Sequence, residues 1–329
     1  MENSAKRQRR TVERAAVRQH RELQRLHREV AKQSAQAQAA YEVQEFENYL
    51  DLVVSLHKDR GEAWDWEAIS QASPPVAPQP VMRNEAHARH ELQAYQPGFF
   101  DRLFGAAKRH TEELEVALVQ AQNQDRAEYA KHVQAYEASY ALWNYRRSLA
   151  GRLLARDTGA YMEALQHSGA FDELTSFQAQ VAIVEAEPAA IVLTCQTAST
   201  SPVPNEELKL TAAGKVSTKP MAMGRFWALH QDFVCSSALR AANEALAVLP
   251  IDRVVVNVGS VQTDTSTGHP AFFTVLAVHL PRTTLRRLNL AEVDASDSMT
   301  NFPHRMKFKK STGFEPVEAM TLQENWVSA

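Results

Sequence analysis

The sequence predicts an α+β protein: long N-terminal helices, arranged as a helical hairpin or coiled coil, then a mainly antiparallel sheet packed against one long helix. Three observations carry that prediction. From about residue 4 to 58 the chain has no Pro or Gly and is rich in Ala, Gln, Glu, Arg and Leu, a composition that favours helix. Between residues 98 and 155 a second apolar stripe recurs at three-four spacing. Beyond Phe177 the pattern turns to β-rich runs.

The first segment has a candidate seam of Val12, Ala16, Gln19, Leu23, Leu26, Val30, Gln33, Ala37, Ala40 and Gln44. Its alternation of four and three is that of a coiled coil, but its glutamines and alanines make a weak zipper. A broader apolar set follows in Tyr41, Phe46, Tyr49, Leu50, Val53, Val54 and Leu56. As one helix this span would reach about 80 Å. Gly61 ends it. In "WDWEAISQASPPVAPQPV" the prolines at 74, 75, 78 and 80 exclude regular helix and give a stiff, extended connector. Trp64 and Trp66 stand at its entrance and are expected against a neighbouring helix.

Helical character returns around Asn84 and resumes after Pro97-Gly98. The stripe there is Phe100, Leu103, Phe104, Ala107, Leu114, Leu118, Ala121, Tyr129, Val133, Tyr136, Tyr140 and Trp143. Two long helices joined by a short linker are expected to fold back as an antiparallel hairpin. "GAYMEALQHSG" and "AFDELTSF" are two shorter helical pieces. "AQVAIVEAE" with "AAIVLTCQT", and "RVVVNVGSV" with "FFTVLAVHL", are two strand pairs within residues 178–281. The helix between the pairs, at about 224–249, should cover the sheet. The chain thus divides into a basic coiled-coil helix (1–60), a Trp/Pro-rich linker with a short helix (61–97), a helical segment (98–177) and an α+β domain (178–329).

Taken together, "WDWEAISQASPP", "HQDFVCSSALRAANEALAVLP" and "MTNFPHRMKFKKSTGFEPVE" resemble an uncharacterised bacterial family. It has a helical N-terminal part, a linker with Trp and Pro, and a C-terminal α+β domain. The resemblance covers most of residues 60–320. It implies a bacterial cytoplasmic protein and transfers no catalytic residue.

The totals narrow the function classes. The chain has 329 residues, 44% apolar and 23% charged, with net charge −3. Residues 1–32 carry ten Lys/Arg against four Glu, a local +6 that leaves −9 for the rest. Such asymmetry points to an N-terminal interaction arm. Two isolated cysteines, Cys195 and Cys235, make neither a disulfide framework nor a metal knuckle, so a reducing cytoplasm is expected. No membrane span and no signal peptide are expected either.

Three constellations offer chemistry. Arg14, Arg18, Arg21, Arg25, Arg28 and Lys32 form a basic stripe that could grip a polyanion and release its counterions. The other reading is the solvated face of a coiled coil, although no acid interrupts the stripe. Arg305, Lys307 and Lys309 alternate with Met306 and Phe308, so an extended segment would be basic on one side. That suits single-stranded nucleic acid, or a charged guard against edge pairing. Glu207-Leu208-Lys209 has the acid-x-Lys spacing of metal-dependent nucleases, with Glu185 or Glu187 as the second carboxylate that such chemistry needs. His87 and His90 lie three apart without a fixed acid or Cys partner, so no metal set follows. "TAAGKVSTK" is not a phosphate-binding Walker loop, and there is no nucleophile elbow or dinucleotide fingerprint.

The reading these favour is a cytoplasmic, non-enzymatic interaction or scaffolding protein without a cofactor. Its N-terminal helices would contact a protein partner or self-associate, and its basic stripe would touch nucleic acid. The alternative is a metal-dependent nuclease-like hydrolase in the C-terminal domain.

Overall fold

A computed structural model describes residues 2–59, 61–98, 106–197 and 202–324; in the first helix it describes side chains at Arg25 and from Glu29 onward. The chain forms two compact units, residues 65–160 and residues 1–64 with 161–329.

In the unit of residues 65–160 the spine is a long helix. Helix α1 (Glu2–Val54) belongs to the other unit; here α2 (Trp66–Gln71) and α3 (Arg83–Ala94) pack along α4 (Ala106–Leu154). The proline-rich connector is extended and lies on the same helix. Trp143 Nε1 donates to the Ala72 carbonyl at 2.8 Å, and Pro75, Val76 and Pro78 border a groove with His132, Ala135 and Tyr136. Asp65 caps α2 by accepting from the Ala68 amide at 2.9 Å. Helix α3 takes its cap from outside itself. The buried Asp125 of α4 accepts from the amides of Glu85 (2.8 Å) and Asn84 (3.2 Å) and from Asn84 Nδ2 (2.7 Å). The Glu85 amide is the first cause holding this carboxyl below its ordinary value.

The other unit is the α+β body. After α5 (Tyr161–Ser168) and α6 (Asp172–Ser176) come β1 (Ala179–Glu187), β2 (Ala190–Thr197), a hairpin of β3 (Glu206–Leu210) and β4 (Val216–Pro220), and α7 (Met223–Val248). Strands β5 (Arg253–Thr263) and β6 (Pro270–Pro281), short helices α8 (Arg282–Leu285) and α9 (Ala295–Ser298), and strands β7 (His304–Lys309) and β8 (Gly313–Glu315) complete it. The main sheet has the order β1-β2-β5-β6-β7-β8, while β3 and β4 stand apart as a two-stranded sheet. All its pairings are antiparallel except β2 with β5. That exception follows from connectivity, because the long crossover through α7 returns the chain in the same direction.

The expected sheet and covering helix are therefore present. Along β2, β5 and β6 the alternate positions Ile191, Leu193, Val254, Val256, Leu276 and Val278 are buried on the face that α7 packs against. Helix α7 is buried from Phe233 to Leu239, and its small residues Ala238, Ala241, Ala242 and Ala245 allow close approach to the strands.

The opposite face is covered by the C-terminal segment, which crosses the strands as a strap. The Val317 amide donates to the Thr274 carbonyl of β6 at 2.8 Å. Asn257 of β5 clasps Met320 twice, donating to its carbonyl and accepting its amide, both at 2.9 Å. The Leu322 amide then reaches Glu185 of β1 at 3.2 Å. Met320 and Leu322 thereby close an apolar cluster with Ala190, Val192, Val255 and Ala277.

Candidate functional site

The end of α1 nearest Gly61 is bolted into the α+β body. Leu50 and Val53 are 2% and 0% exposed, and Leu56 is buried just beyond. Arg240 of α7 donates to the Leu56 carbonyl at 3.3 Å and pairs with Glu173 (2.6 Å) and Glu244 (3.0 Å). The Gly61 amide donates to Glu244 Oε1 at 2.8 Å. Burial pushes the Glu244 carboxyl up, while the Gly61 amide and Arg240 favour its charged form. A buried pair of this kind is costly to break from one side, because the remaining charge loses its partner.

His57 sits in the same joint. Its Nε2 lies 3.1 Å from the Val293 carbonyl and its Nδ1 2.9 Å from Ser236 Oγ. A carbonyl only accepts, so Nε2 carries the proton and Nδ1 accepts from the serine hydroxyl. Ser236 Oγ also accepts from the His57 amide at 3.0 Å. A serine–histidine contact carries nucleophilic chemistry where the serine meets a cleft. Ser236 is fully buried, and burial pushes the His57 pKa down, so this pair is a clamp.

The middle of α1 rests on the β3–β4 hairpin. Its inward side chains Gln36, Ala39, Val43, Phe46 and Leu50 are buried or half-buried at three-four spacing. Gln36 Nε2 donates to the Ala213 carbonyl at 3.1 Å, and the Tyr49 hydroxyl donates to the Pro202 carbonyl at 2.8 Å. Gly214 makes the turn with φ +72°, and a Cβ there would stand 2.6 Å from Gln36 Cγ. Both the backbone and the helix require glycine at that position.

Glu207 and Lys209 are brought together here, at 2.6 Å. Glu207 also pairs with Arg225 of α7 at 2.7 Å, and Arg225 reaches Glu47 of α1 at 3.1 Å. The chain of charges ties hairpin, α7 and α1 to one another. Lys209 first and Arg225 second hold the Glu207 carboxyl below its ordinary value. Glu185 lies on the other sheet, where its carboxylate holds the strap. Among the described residues no group of three or more His, Cys, Asp or Glu comes together as a metal site. With these partners the Glu207 corner has the form of a joint.

Before Gln36 the character of α1 changes. Every side chain from Glu29 to Ala35 is exposed, Val30 at 65%. Arg25 and Lys32 of the basic stripe are exposed as well. The side chains of Arg14, Arg18, Arg21 and Arg28 lie outside the described residues. The seam positions Val30, Gln33, Ala37, Ala40 and Gln44 are all exposed. What packs is a different line on the helix, through Ala39, Val43, Phe46, Leu50 and Val53.

The strand of the second basic cluster is β7. Met306 and Phe308 face α7, with Met306 Sδ 4.0 Å from Cys235 Sγ and the Phe308 ring 5.1 Å from Phe314. Two of the three cations are engaged. Arg305 pairs with Glu324 at 2.6 Å and donates to the Ala319 carbonyl at 3.1 Å, so it fastens the strap; Lys309 pairs with Glu315 at 2.8 Å. Lys307 is exposed.

Sequence reasoning missed the strap and the His57–Ser236 clamp. Arg240 and Glu244, four apart on a helix, are legible as a structural pair and stand 3.0 Å apart; Glu173 and the Leu56 carbonyl, which complete the network, left no such signal. No family model, curated protein or solved structure matches this chain.

Proposed function

We propose that this chain is a non-enzymatic, cytoplasmic interaction protein whose helix α1 is a recognition arm held by the α+β body. The observation that supports this most is the contrast along one helix. Its last turns are fixed by buried side chains and the Arg240 network. The stretch before Gln36 has exposed side chains wherever they are described. About 50 Å of helix precedes Gln36, and residues 1–32 concentrate a charge of +6.

An arm with that charge suits a polyanion, and nucleic acid is the partner we favour over a lipid surface, because the seam opposite the stripe has neither Trp nor Phe. Among the described residues no helix is long and apolar enough to cross a membrane. The exposed line of Val30, Ala37 and Ala40 offers a second helix a place to pack, giving a weak coiled coil between copies. Gln33 and Gln44 interrupt it, so association through this line alone should be weak. Retention of the full chain on heparin, compared with a variant carrying Arg18→Gln, Arg21→Gln and Arg25→Gln, tests the polyanion reading. Equal retention of the two at low salt would remove it.

A further inference from the structure

A second surface of the body has the chemistry of a small-anion site. Between the C-terminal half of α7 and the α8 turn lies a cleft of about 180 Å³. Its lining includes Asn243, Leu246, Leu285 and Leu290 with two cations, Arg282 and Arg286, and contains no carboxylate. Arg282 is held rigidly. Its Nε donates to the Ile251 carbonyl at 2.8 Å, and Nη2 donates to Ile251 and Leu249 at 2.7 and 2.9 Å. These bonds close the C-terminal end of α7 and leave Nη1 uncommitted among the described residues.

Arg286 follows one helical turn later, is exposed, and has no ion pair among the described residues. Burial, and next the charge of Arg286, push the Arg282 pKa down; Asp252 acts in the opposite sense. Two guanidinium groups thus crowd one wall of an acid-free cleft, with the Asn243 amide also lining it. An anion there would relieve the repulsion and accept from both forks.

We propose that this cleft binds a small oxyanion, a phosphate or carboxylate head, with a short apolar body against Leu246, Leu285 and Leu290. Arg286 and Asn243 supply the mobile donors, and Arg282 supplies a fixed one. The site is independent of the arm.

The test is the thermal midpoint of the full chain titrated with inorganic phosphate and, separately, with butyrate, each against sodium chloride at matched ionic strength. Binding to the folded state alone gives a rise that follows ligand concentration. A rise with phosphate identifies a phosphate head, and a rise confined to butyrate identifies a carboxylate with an apolar body. Arg286→Gln should weaken the effective probe at least about tenfold, the loss of a charge-assisted hydrogen bond, and Asn243→Leu should weaken it as well. The arm variant with three glutamines should respond like the wild type, which separates this site from the stripe. No specific rise with either probe, or a rise unchanged in Arg286→Gln, overturns the proposal.

Discussion

The two halves of α1 use the same spacing for opposite ends. From Gln36 to Val53 the three-four line carries Ala39, Val43, Phe46 and Leu50 and is closed against the body. From Arg14 to Lys32 the sequence places cations at that spacing, and Arg25 and Lys32 stand in solvent. Periodicity therefore reveals a helix with an organised face, while residue chemistry at the repeat decides whether that face is buried or offered outward.

Variants that attack the fixed half should show the largest effects. Arg240→Ala leaves Glu173 and Glu244 without their shared cation and frees the Leu56 carbonyl. We expect a loss of about 3–5 kcal/mol in denaturant-induced unfolding. Leu50→Ala opens a cavity where α1 meets the body and should cost about 2–5 kcal/mol. If either variant unfolds at the wild-type midpoint, the base of α1 is not an anchor.

A pH titration should give a smaller effect at the joint of hairpin, α7 and α1. The Glu207 carboxyl is depressed below its ordinary value of 4.5, by Lys209 first and then Arg225. A depressed folded value means that the unfolded state binds the proton more tightly. The stabilisation is then complete above pH 4.5 and is lost as pH falls through the folded value. Glu207→Gln should flatten stability against pH in that acid window, while leaving neutral stability less affected than Arg240→Ala does. The smallest effect is expected in the exposed stretch from Glu29 to Ala35. Val30→Ala, at a side chain 65% exposed, should change stability by less than about 0.5 kcal/mol. A loss comparable to that of Leu50→Ala would show that this stretch packs on the body after all.

The elements with strong local periodicity were legible in the sequence. Helix α1, helix α4, the covering helix α7 and the strand pairs follow from runs of uniform character. The second apolar set of α1 named Leu50, Val53 and Leu56, which are the residues that anchor it. The strap was not legible, because each of its contacts is a single residue reaching a different strand. Val317, Met320 and Leu322 meet β6, β5 and the cluster near β1 in turn, and no period joins them. Glu185 and Arg305, singled out for their chemistry, are side chains that hold the strap, Glu185 at the Leu322 amide and Arg305 at Ala319 and Glu324. Spacing also cannot say which line on α1 will pack. The weak seam and the packed line both follow three-four alternation, and only the hairpin and α7, distant in sequence, select between them.

The most direct test of the proposed arm is the salt dependence of polyanion binding. Binding of the full chain to a short DNA duplex is measured across a range of salt concentrations, for the wild type and for the variant with Arg18, Arg21 and Arg25 changed to Gln. Gln and Arg have similar helix propensities, so circular dichroism should report equal helicity. If each arginine holds one phosphate, the slope of log affinity against log salt becomes shallower by about 2.7 in the variant. Identical slopes and affinities for the two proteins would contradict the arm's role as a polyanion grip.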